Sequence, residues 1–401
     1  MSSFDTRIHE LVAHAYAHAP AIRQIFDSVG VSPDDIQGVT DLAKLPVTSK
    51  DSLVAIHQAN PPFGGFLTIP IDDLPRIYIS PGPIYDPQPL NPESAEYNLA
   101  PFHYVGFGRG DRVLNTFMYH LTPAGLLLDE ALRACGATVI PAGPGNTELQ
   151  VMMMGALNIT GFVGQPSYLE TILEKAQEMG FPKEMITIKK ALFSAEIYTP
   201  KQQAKFEGEY GIKTTSAYGT ADLGFIGYSR SGVQGFSLVE SVYIEIVDPE
   251  TGQTMPDGEK GEVVVTTFNK AYPLIRFGTG DLGALDPNPP HSAQHLMGLF
   301  GRSGEAVKVR GMFLHPNQLL AAKAQFPQIK RMQAVITRPE SKDYVTLRVQ
   351  LNDGIDAGDL ADQLKALAQQ AVRLRVDEVI FVGDGIIAPG GRTVVDERKW
   401  D

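Results

Sequence analysis

Between residues 76 and about 190, short apolar runs such as 112–116 and 137–141 alternate with helical patterns such as 125–133 and 167–179. That alternation is the signature of βαβ units on a largely parallel sheet. Ahead of it, residues 5–60 read as amphipathic helices up to Leu45-Pro46-Val47-Thr48-Ser49-Lys50-Asp51, where proline and the hydroxyl residues mark a turn and a helix start. Behind it, strand-like runs at 239–247 and 261–267 are separated by Asp248-Pro249-Glu250-Thr251-Gly252 and Pro256-Asp257-Gly258, turn residues that predict an antiparallel pair. The last hundred residues, after Gly301-Arg302, hold strand patterns near 333–337 and 346–351, a helix near 358–375 and a strand at 378–382, which predicts a small separate α+β unit. The expectation is an α/β protein with a large N-terminal domain of mixed sheets and helices over 1–303 and a small α+β domain over 304–401. No internal repeat or low-complexity segment interrupts this organisation.

Composition narrows the partners more than the fold. A chain of 401 residues with 43% apolar and 20% charged content is ordinary globular protein. A formal net charge of −12 argues against a surface built to neutralise nucleic-acid phosphates or to sit on anionic lipid, so a small molecule is the expected partner. Cys135 is the sole cysteine, which excludes an intrachain disulfide and a multi-cysteine metal site and fits a reducing cytoplasm. No run of about 18 apolar residues occurs and the N-terminus has no apolar signal-like core, so the expected location is cytoplasmic with no membrane span. The sequence leaves the oligomeric state open, with a homodimer among the expectations.

Three segments carry chemistry. Tyr218-Gly219-Thr220-Ala221-Asp222, Ile275-Arg276-Phe277-Gly278-Thr279-Gly280-Asp281 and Gly301-Arg302 through Gly311 occur in that order, and each supplies groups that a bound adenylate needs. Their order and spacing resemble the adenylate-forming acyl-CoA ligases, most closely the phenylacetate-CoA ligase branch, and the resemblance runs from about residue 20 to 398. The segment 45–51 nearly reproduces that family's Leu-Pro-x-x-x-Lys-x-Asp lead-in. The resemblance implies an ATP-dependent, AMP-forming acid–thiol ligase that activates an aryl or other small carboxylic acid as an acyl-adenylate and transfers it to coenzyme A. It implies ATP/AMP, Mg²⁺ and coenzyme A as cofactors, and a mobile C-terminal lid pivoting at the segment matching 302–305.

Acyl activation needs adenosine held rigidly, phosphate charge neutralised and water excluded. The resemblance carries ribose binding onto Asp281, whose flanking glycines let a carboxylate approach two hydroxyls; in isolation it reads as a turn former. Tyr218 takes the adenine-stacking role, with Ala217, Gly219 and Thr220 beside the nucleotide and Asp222 on Mg²⁺; Thr220 stands one position early and Asp222 replaces the usual glutamate. Ser194-Ala195-Glu196 resembles the segment lining the adenine edge and reads equally as a helix N-cap. Phe117, Met118, Tyr119 and Gly125 fall where the family lines its acyl pocket, and His120 either orients the substrate carboxylate or is a hydrogen-bonded histidine at a strand end. Arg302 matches an arginine that contacts ribose or phosphate. Lys308 either reaches the adenylate after lid rotation or is an exposed strand lysine, and Gly304 takes the place of the usual hinge acid.

The departures concern pyrophosphate. The family's hydroxyl-rich, lysine-bearing phosphate loop corresponds to Ser80-Pro81-Gly82-Pro83-Ile84-Tyr85-Asp86-Pro87, where three prolines lack N–H donors and Asp86 stands in place of the lysine; the expectation is repulsion of a triphosphate tail. Aligning on Val394-Val395-Asp396 puts Gly390 where the family has its adenylation lysine, with Arg392 or Lys399 as local substitutes. Beside the ligase reading stand two others: an enzyme of the same fold that uses a preformed acyl-adenylate or passes the acyl group to an acceptor other than coenzyme A, and a nucleotide-binding protein without turnover.

Overall fold

The computed structural model describes residues 4–80, 84–88, 99–290, 294–302, 307–310, 312–314, 316–339, 342–352, 354–355, 357–372, 374–388 and 391–399. The chain divides into two compact units, Met1–Ser303 and Gly304–Asp401.

The first unit begins with helices α1 (Phe4–His18) and α2 (Pro20–Val29), the latter opened by proline, whose missing N–H costs nothing at a helix start. The two-residue strand β1 (Thr48–Ser49) leads into α3 (Lys50–Ala59), where Ser49 caps the helix by accepting from the Ser52 amide at 3.1 Å. Ile8, Leu11 and Val12 of α1 and Ile22 and Phe26 of α2 share a core with Leu274, Ile275 and Phe277, so these helices form a wall behind the glycine-containing motif.

Strands β2 (Arg76–Ser80) and β3 (Ile84–Gln88) pair antiparallel as a separate ribbon, Tyr78 opposite Asp86. The βαβ reading from residue 76 therefore starts too early: the parallel block begins at β4 (Arg112–Asn115) and continues through β5 (Thr138–Pro141), β6 (Gly161–Gly164), β7 (Lys190–Phe193) and β8 (Lys213–Thr220) in the order β5-β4-β6-β7-β8. Helices Ala124–Ala134, Thr147–Leu157 and Pro166–Glu178 supply the crossovers. Every residue of β6 is buried, as expected of a parallel strand covered on both faces.

Past β8 the same sheet turns antiparallel through β9 (Gly224–Arg230), β10 (Val233–Leu238), β11 (Val242–Val247), β12 (Gly261–Thr267), β13 (Phe277–Leu285) and β14 (His295–Arg302), ordered β8-β9-β10-β14-β13-β12-β11. The predicted antiparallel pair is β11 and β12, in unbroken register from Val242 opposite Thr267 to Val247 opposite Glu262. Strand β1 adds parallel to β13, Thr48 opposite Phe277 and Ser49 opposite Gly278.

The second unit contains the hairpin β15 (Val307–Val309) and β16 (Met312–Leu314), and a four-stranded sheet ordered β19-β18-β17-β20 from β17 (Ile329–Thr337), β18 (Tyr344–Leu351), β19 (Glu378–Phe381) and β20 (Val394–Asp396). Leu319 of helix Pro316–Ala324 and Leu364 of helix Leu360–Val372 pack with Ala334, Ile336 and Leu347 in a core wholly within this unit. The α/β class and the small α+β unit follow the sequence patterns. Among the described residues no helix is long and apolar enough to cross a membrane.

Candidate functional site

Tyr218 at the end of β8, Asp281 within β13 and Arg302 at the end of β14 meet in the first unit. Asp281 Oδ2 accepts a hydrogen bond from the Tyr218 hydroxyl at 2.9 Å, and Oδ1 faces Nε of Arg302 at 3.2 Å. Asp281 and Arg302 are direct register partners, and Arg302 Nη2 also donates to the Thr279 carbonyl at 2.8 Å. Asp281 thus sits inside a strand; the turn-former reading does not hold. What the glycines permit is irregularity in that strand. Gly280 has φ 72°, and a Cβ there would lie 3.0 Å from Arg302 Nη2, so a side chain would meet both backbone strain and the guanidinium. Burial, and then the Asp281 charge, push the Tyr218 hydroxyl well above its usual pKa, which keeps it a donor. The Asp281 and Arg302 side chains are 20% and 19% exposed, whereas Tyr218 is 7% exposed and tilted against Phe236. A carboxylate offers about four lone-pair sites. Among the described residues two are engaged here, which leaves acceptor capacity on an already oriented group.

Ser194-Ala195-Glu196 follows β7. Ser194 Oγ donates to the Ala217 carbonyl at 2.8 Å, fixing this turn to the residue before Tyr218. Ala195 has φ 75°, a left-handed conformation that a non-glycine residue holds at a cost and that recurs at functional sites. Glu196 Oε1 accepts from the Ser167 amide at 2.7 Å at the start of helix Pro166–Glu178. No helix starts at this turn, so the helix-capping alternative does not hold; the next helix opens at Pro200 with Thr199 as its cap. Gly219 and Thr220 complete β8, and Thr220 Oγ1 accepts from the Leu223 amide at 3.3 Å.

Around the expected acyl pocket, Asn115 organises the backbone: its Nδ2 donates to the Gly125 carbonyl at 2.9 Å and to Tyr119 Oη at 2.8 Å. Tyr119 passes its own proton toward Asp129 Oδ2 at 3.0 Å, and burial with that contact pushes its pKa up. The hydroxyl is thereby committed to the scaffold. Gly125 is buried where a Cβ would come within 2.5 Å of the Met118 carbonyl oxygen, so the segment folds this tightly only because residue 125 is glycine. Phe117 is half-buried against Val113 and its neighbours, Met118 is 36% exposed, and His120 is exposed.

A second polar group surrounds Asp222, in the turn between β8 and β9. Its side chain is 1% exposed, and Oδ2 is in ion-pair contact with the Lys50 ammonium from the first turn of α3. Burial pushes the Asp222 carboxyl up, but the charge and hydrogen bond of Lys50 outweigh it, with neighbouring Asp86 acting to the same side, so it titrates below the usual range. Asp86 is 5% exposed and faces this carboxyl from β3, close enough to share a proton with it; it lies buried against Asp222 rather than standing out toward a phosphate tail. Tyr272 and His57 border the same group, joined by a 3.1 Å hydrogen bond between His57 Nε2 and Tyr272 Oη. Burial, then Asp222 and Asp86, push the Tyr272 hydroxyl up. Asp222 Oδ1 is buried and accepts no hydrogen bond among the described residues, the condition of an oxygen able to meet a hard cation, although the described residues bring no group of three or more metal-ligating side chains together. Lys50 was not read from the sequence as part of a site, and Asp86 was read only as the replacement of a phosphate-loop lysine; the lysine of the Leu-Pro-x-x-x-Lys-x-Asp lead-in was the available signal for Lys50.

Lys308 and Arg392 belong to the second unit. Lys308 stands on β15 opposite Phe313, and Arg392 is exposed, its carbonyl accepting from Gln333 Nε2 at 2.8 Å. Pro81, Pro83, Gly304 and Gly390 lie outside the described residues.

Residues 100–269 match the family model described as AMP-binding enzyme. A phenylacetate-coenzyme A ligase of Aromatoleum evansii is 30% identical over 94% of this chain and 87% of its own length. One from Thermus thermophilus is 30% identical over 87% and 81%. Among solved structures, a 2-hydroxyisobutyryl-CoA ligase in complex with 2-HIB-AMP and CoA superposes with a TM-score of 0.88 at 24% identity, covering 99% of this chain and 89% of that one. An amide bond synthetase from Marinactinospora thermotolerans reaches 0.61 at 18% identity over 79% and 66%. Both superpositions speak to the fold.

Proposed function

Because the chain belongs to the phenylacetate-coenzyme A ligase-like family of AMP-binding, adenylate-forming enzymes, we propose that Asp281, Arg302 and Tyr218 are its nucleotide-holding residues and that its acid is aryl or similarly apolar. The protein is an AMP-forming acid–thiol ligase that uses a nucleotide and coenzyme A. A carboxylate oxygen attacks the α-phosphorus of ATP and pyrophosphate leaves; the coenzyme A thiol then attacks the acyl carbon and AMP leaves.

The observation that supports the assignment is the Tyr218–Asp281–Arg302 contact, which draws three separated motifs onto one carboxylate. In this reading Asp281 accepts from the ribose hydroxyls, Arg302 holds that carboxylate and lends positive charge, and Tyr218 orients it and borders the base. Ala195, Ala217, Gly219 and Thr220 bring backbone to the nucleotide, while Ser194 and Glu196 brace the turn. Phe117, Met118, Tyr119 and Gly125 wall the acyl pocket, and His120 meets the substrate carboxylate. Asp222 takes Mg²⁺, which would offset phosphate charge.

The unit from 304 onward acts as the lid, carrying Lys308 and Arg392 as its cationic groups. Gly304→Pro should leave AMP binding intact and suppress thioester formation; turnover at the wild-type rate would move the hinge elsewhere. The same reading puts the protein in the cytoplasm, with no nucleic-acid or membrane partner, and makes a homodimer the assembly to look for by sedimentation.

ATP–pyrophosphate exchange across aryl and short-chain acids, followed by thioester formation with coenzyme A, tests the whole scheme. Exchange with an aryl acid and capture by coenzyme A is the expected result. AMP binding without exchange for any acid would overturn it in favour of a nucleotide binder. Breakdown of a synthetic acyl-adenylate without exchange would point to the reading in which a preformed adenylate is passed on.

A further inference from the structure

Strand β13 does not run straight past Asp281. Against β12, Leu282 stands opposite Glu262 and Gly278 opposite Val264, so Thr279, Gly280 and Asp281 together face the single residue Val263. Surplus residues in one strand leave the ladder and bend the strand outward. Backbone groups in such a curl that would have met β12 need other partners. Side chains supply them. The Asp281 amide donates to Thr279 Oγ1 at 3.1 Å, and that hydroxyl donates to the Val263 carbonyl at 2.8 Å. From β14, Arg302 Nη2 donates to the Thr279 carbonyl at 2.8 Å. From β12, on the other side, Glu262 Oε1 accepts from the Gly280 amide at 2.9 Å.

The curl is thus held between two opposite charges on its flanking strands, a carboxylate on an N–H and a guanidinium on a carbonyl, and charge-assisted hydrogen bonds of this kind are the stronger ones. The amide that Glu262 holds belongs to the residue immediately before Asp281, the one with φ 72°. Gly278 shows that the carboxylate is fitted to this place. Its φ lies outside the left-handed region, yet a Cβ there would come within 2.6 Å of Glu262 Oε1 and 2.9 Å of Val47 Cγ1. What glycine provides at 278 is therefore space for that carboxylate beside Val47.

We propose that Glu262 is a positioning residue for nucleotide binding: through the Gly280 amide it holds the 279–281 curl in the shape that presents the Asp281 carboxylate to a ribose. The proposal rests on the reading of Asp281 as the ribose ligand and adds to it the group that sets its aim. Glu262 touches no substrate in this scheme and acts only through the Gly280 peptide.

The readout is the ratio of affinities for AMP and for 2′,3′-dideoxy-AMP, which lacks both ribose hydroxyls, measured by calorimetry on the full-length protein. Wild type should prefer AMP by about tenfold or more, the worth of hydrogen bonds to a charged group. Glu262→Ala, with its fold checked by circular dichroism, should lose most of that preference while holding dideoxy-AMP as wild type does, because a carboxylate out of aim forfeits the hydroxyls and not the base. A parallel loss of both affinities would mark a general role in folding the site and overturn the proposal. A preference kept in Glu262→Ala and lost in Asp281→Ala would leave Asp281 on the ribose and overturn the role of Glu262. Equal binding of the two nucleotides by wild type would remove the ribose reading and the proposal together. Should Glu262→Ala fail to fold, Gly278→Ala crowds the same carboxylate off the Gly280 amide and should reduce the preference in the same way; a preference at the wild-type value would overturn the proposal.

Discussion

Arg276 is 1% exposed and carries its charge into the core beneath the site. Its Nε pairs with Glu245 at 3.1 Å, Nη1 donates to the Leu45 carbonyl, Nη2 to the Gly252 carbonyl at 2.9 Å, and its own carbonyl accepts from the Thr48 amide at 3.0 Å. Arg276→Met leaves Glu245 buried without its cation and should destabilise the protein by about 3–5 kcal/mol, read as a lower urea midpoint. Arg276→Lys should recover little, because one ammonium cannot reproduce a fork aimed at three acceptors. At Asp281, the carboxylate proposed for the ribose, Tyr218→Phe removes the donor on Oδ2 and should weaken AMP binding about tenfold, or about 1.4 kcal/mol. Unchanged AMP affinity by calorimetry would mean that the hydroxyl does not orient Asp281. Asp281, Arg302 and Tyr218 were singled out because each lies in a short motif that resembles one of the family's; local chemistry alone read Asp281 as a turn former. The Lys50–Asp222 contact was not legible, since 172 residues separate the partners and no local pattern links a helix start to a distant turn.

At the scale of elements, α3 shows how one helix serves both purposes. Lys50 and His57 are seven residues apart, two turns along one face, so both point toward the Asp222 group. His57 is 4% exposed; burial lowers its pKa below the usual 6.5, and Asp222 opposes this in part. A histidine kept neutral by the fold contributes stability that is full above pH 6.5 and is lost as pH falls through its lowered folded value, because the unfolded chain takes up the proton first. The melting temperature should therefore drop as pH is taken from 7 to about 5, and His57→Gln should flatten that slope. A slope of the same size in the folded variant would assign it to other groups. Periodicity located most elements, including the β11–β12 pair, to within a few residues. It missed the antiparallel ribbon of β2 and β3, because apolar runs of strand length reveal nothing of their direction.

At the scale of the whole molecule, each unit has its own core, and among the described residues that of the second includes none before Val307. The fragment 304–401 should accordingly fold alone with a single cooperative thermal transition; a broad, non-cooperative melt would show that the first unit is needed to complete it. The first unit is less divisible than its sequence pattern suggests. A strand of just two residues, Thr48–Ser49, is stitched in parallel register onto Phe277–Gly278, and the next residue is Lys50. This short splice joins the opening helices to the strand that carries Asp281. For anyone assembling hybrids from related enzymes, a crossover placed between residues 60 and 270 would separate two halves that were fitted to each other. Segments 45–50 and 272–285 should be inherited as one cassette, and a hybrid that takes them from different parents should lose nucleotide affinity although every ligand-facing residue is still present.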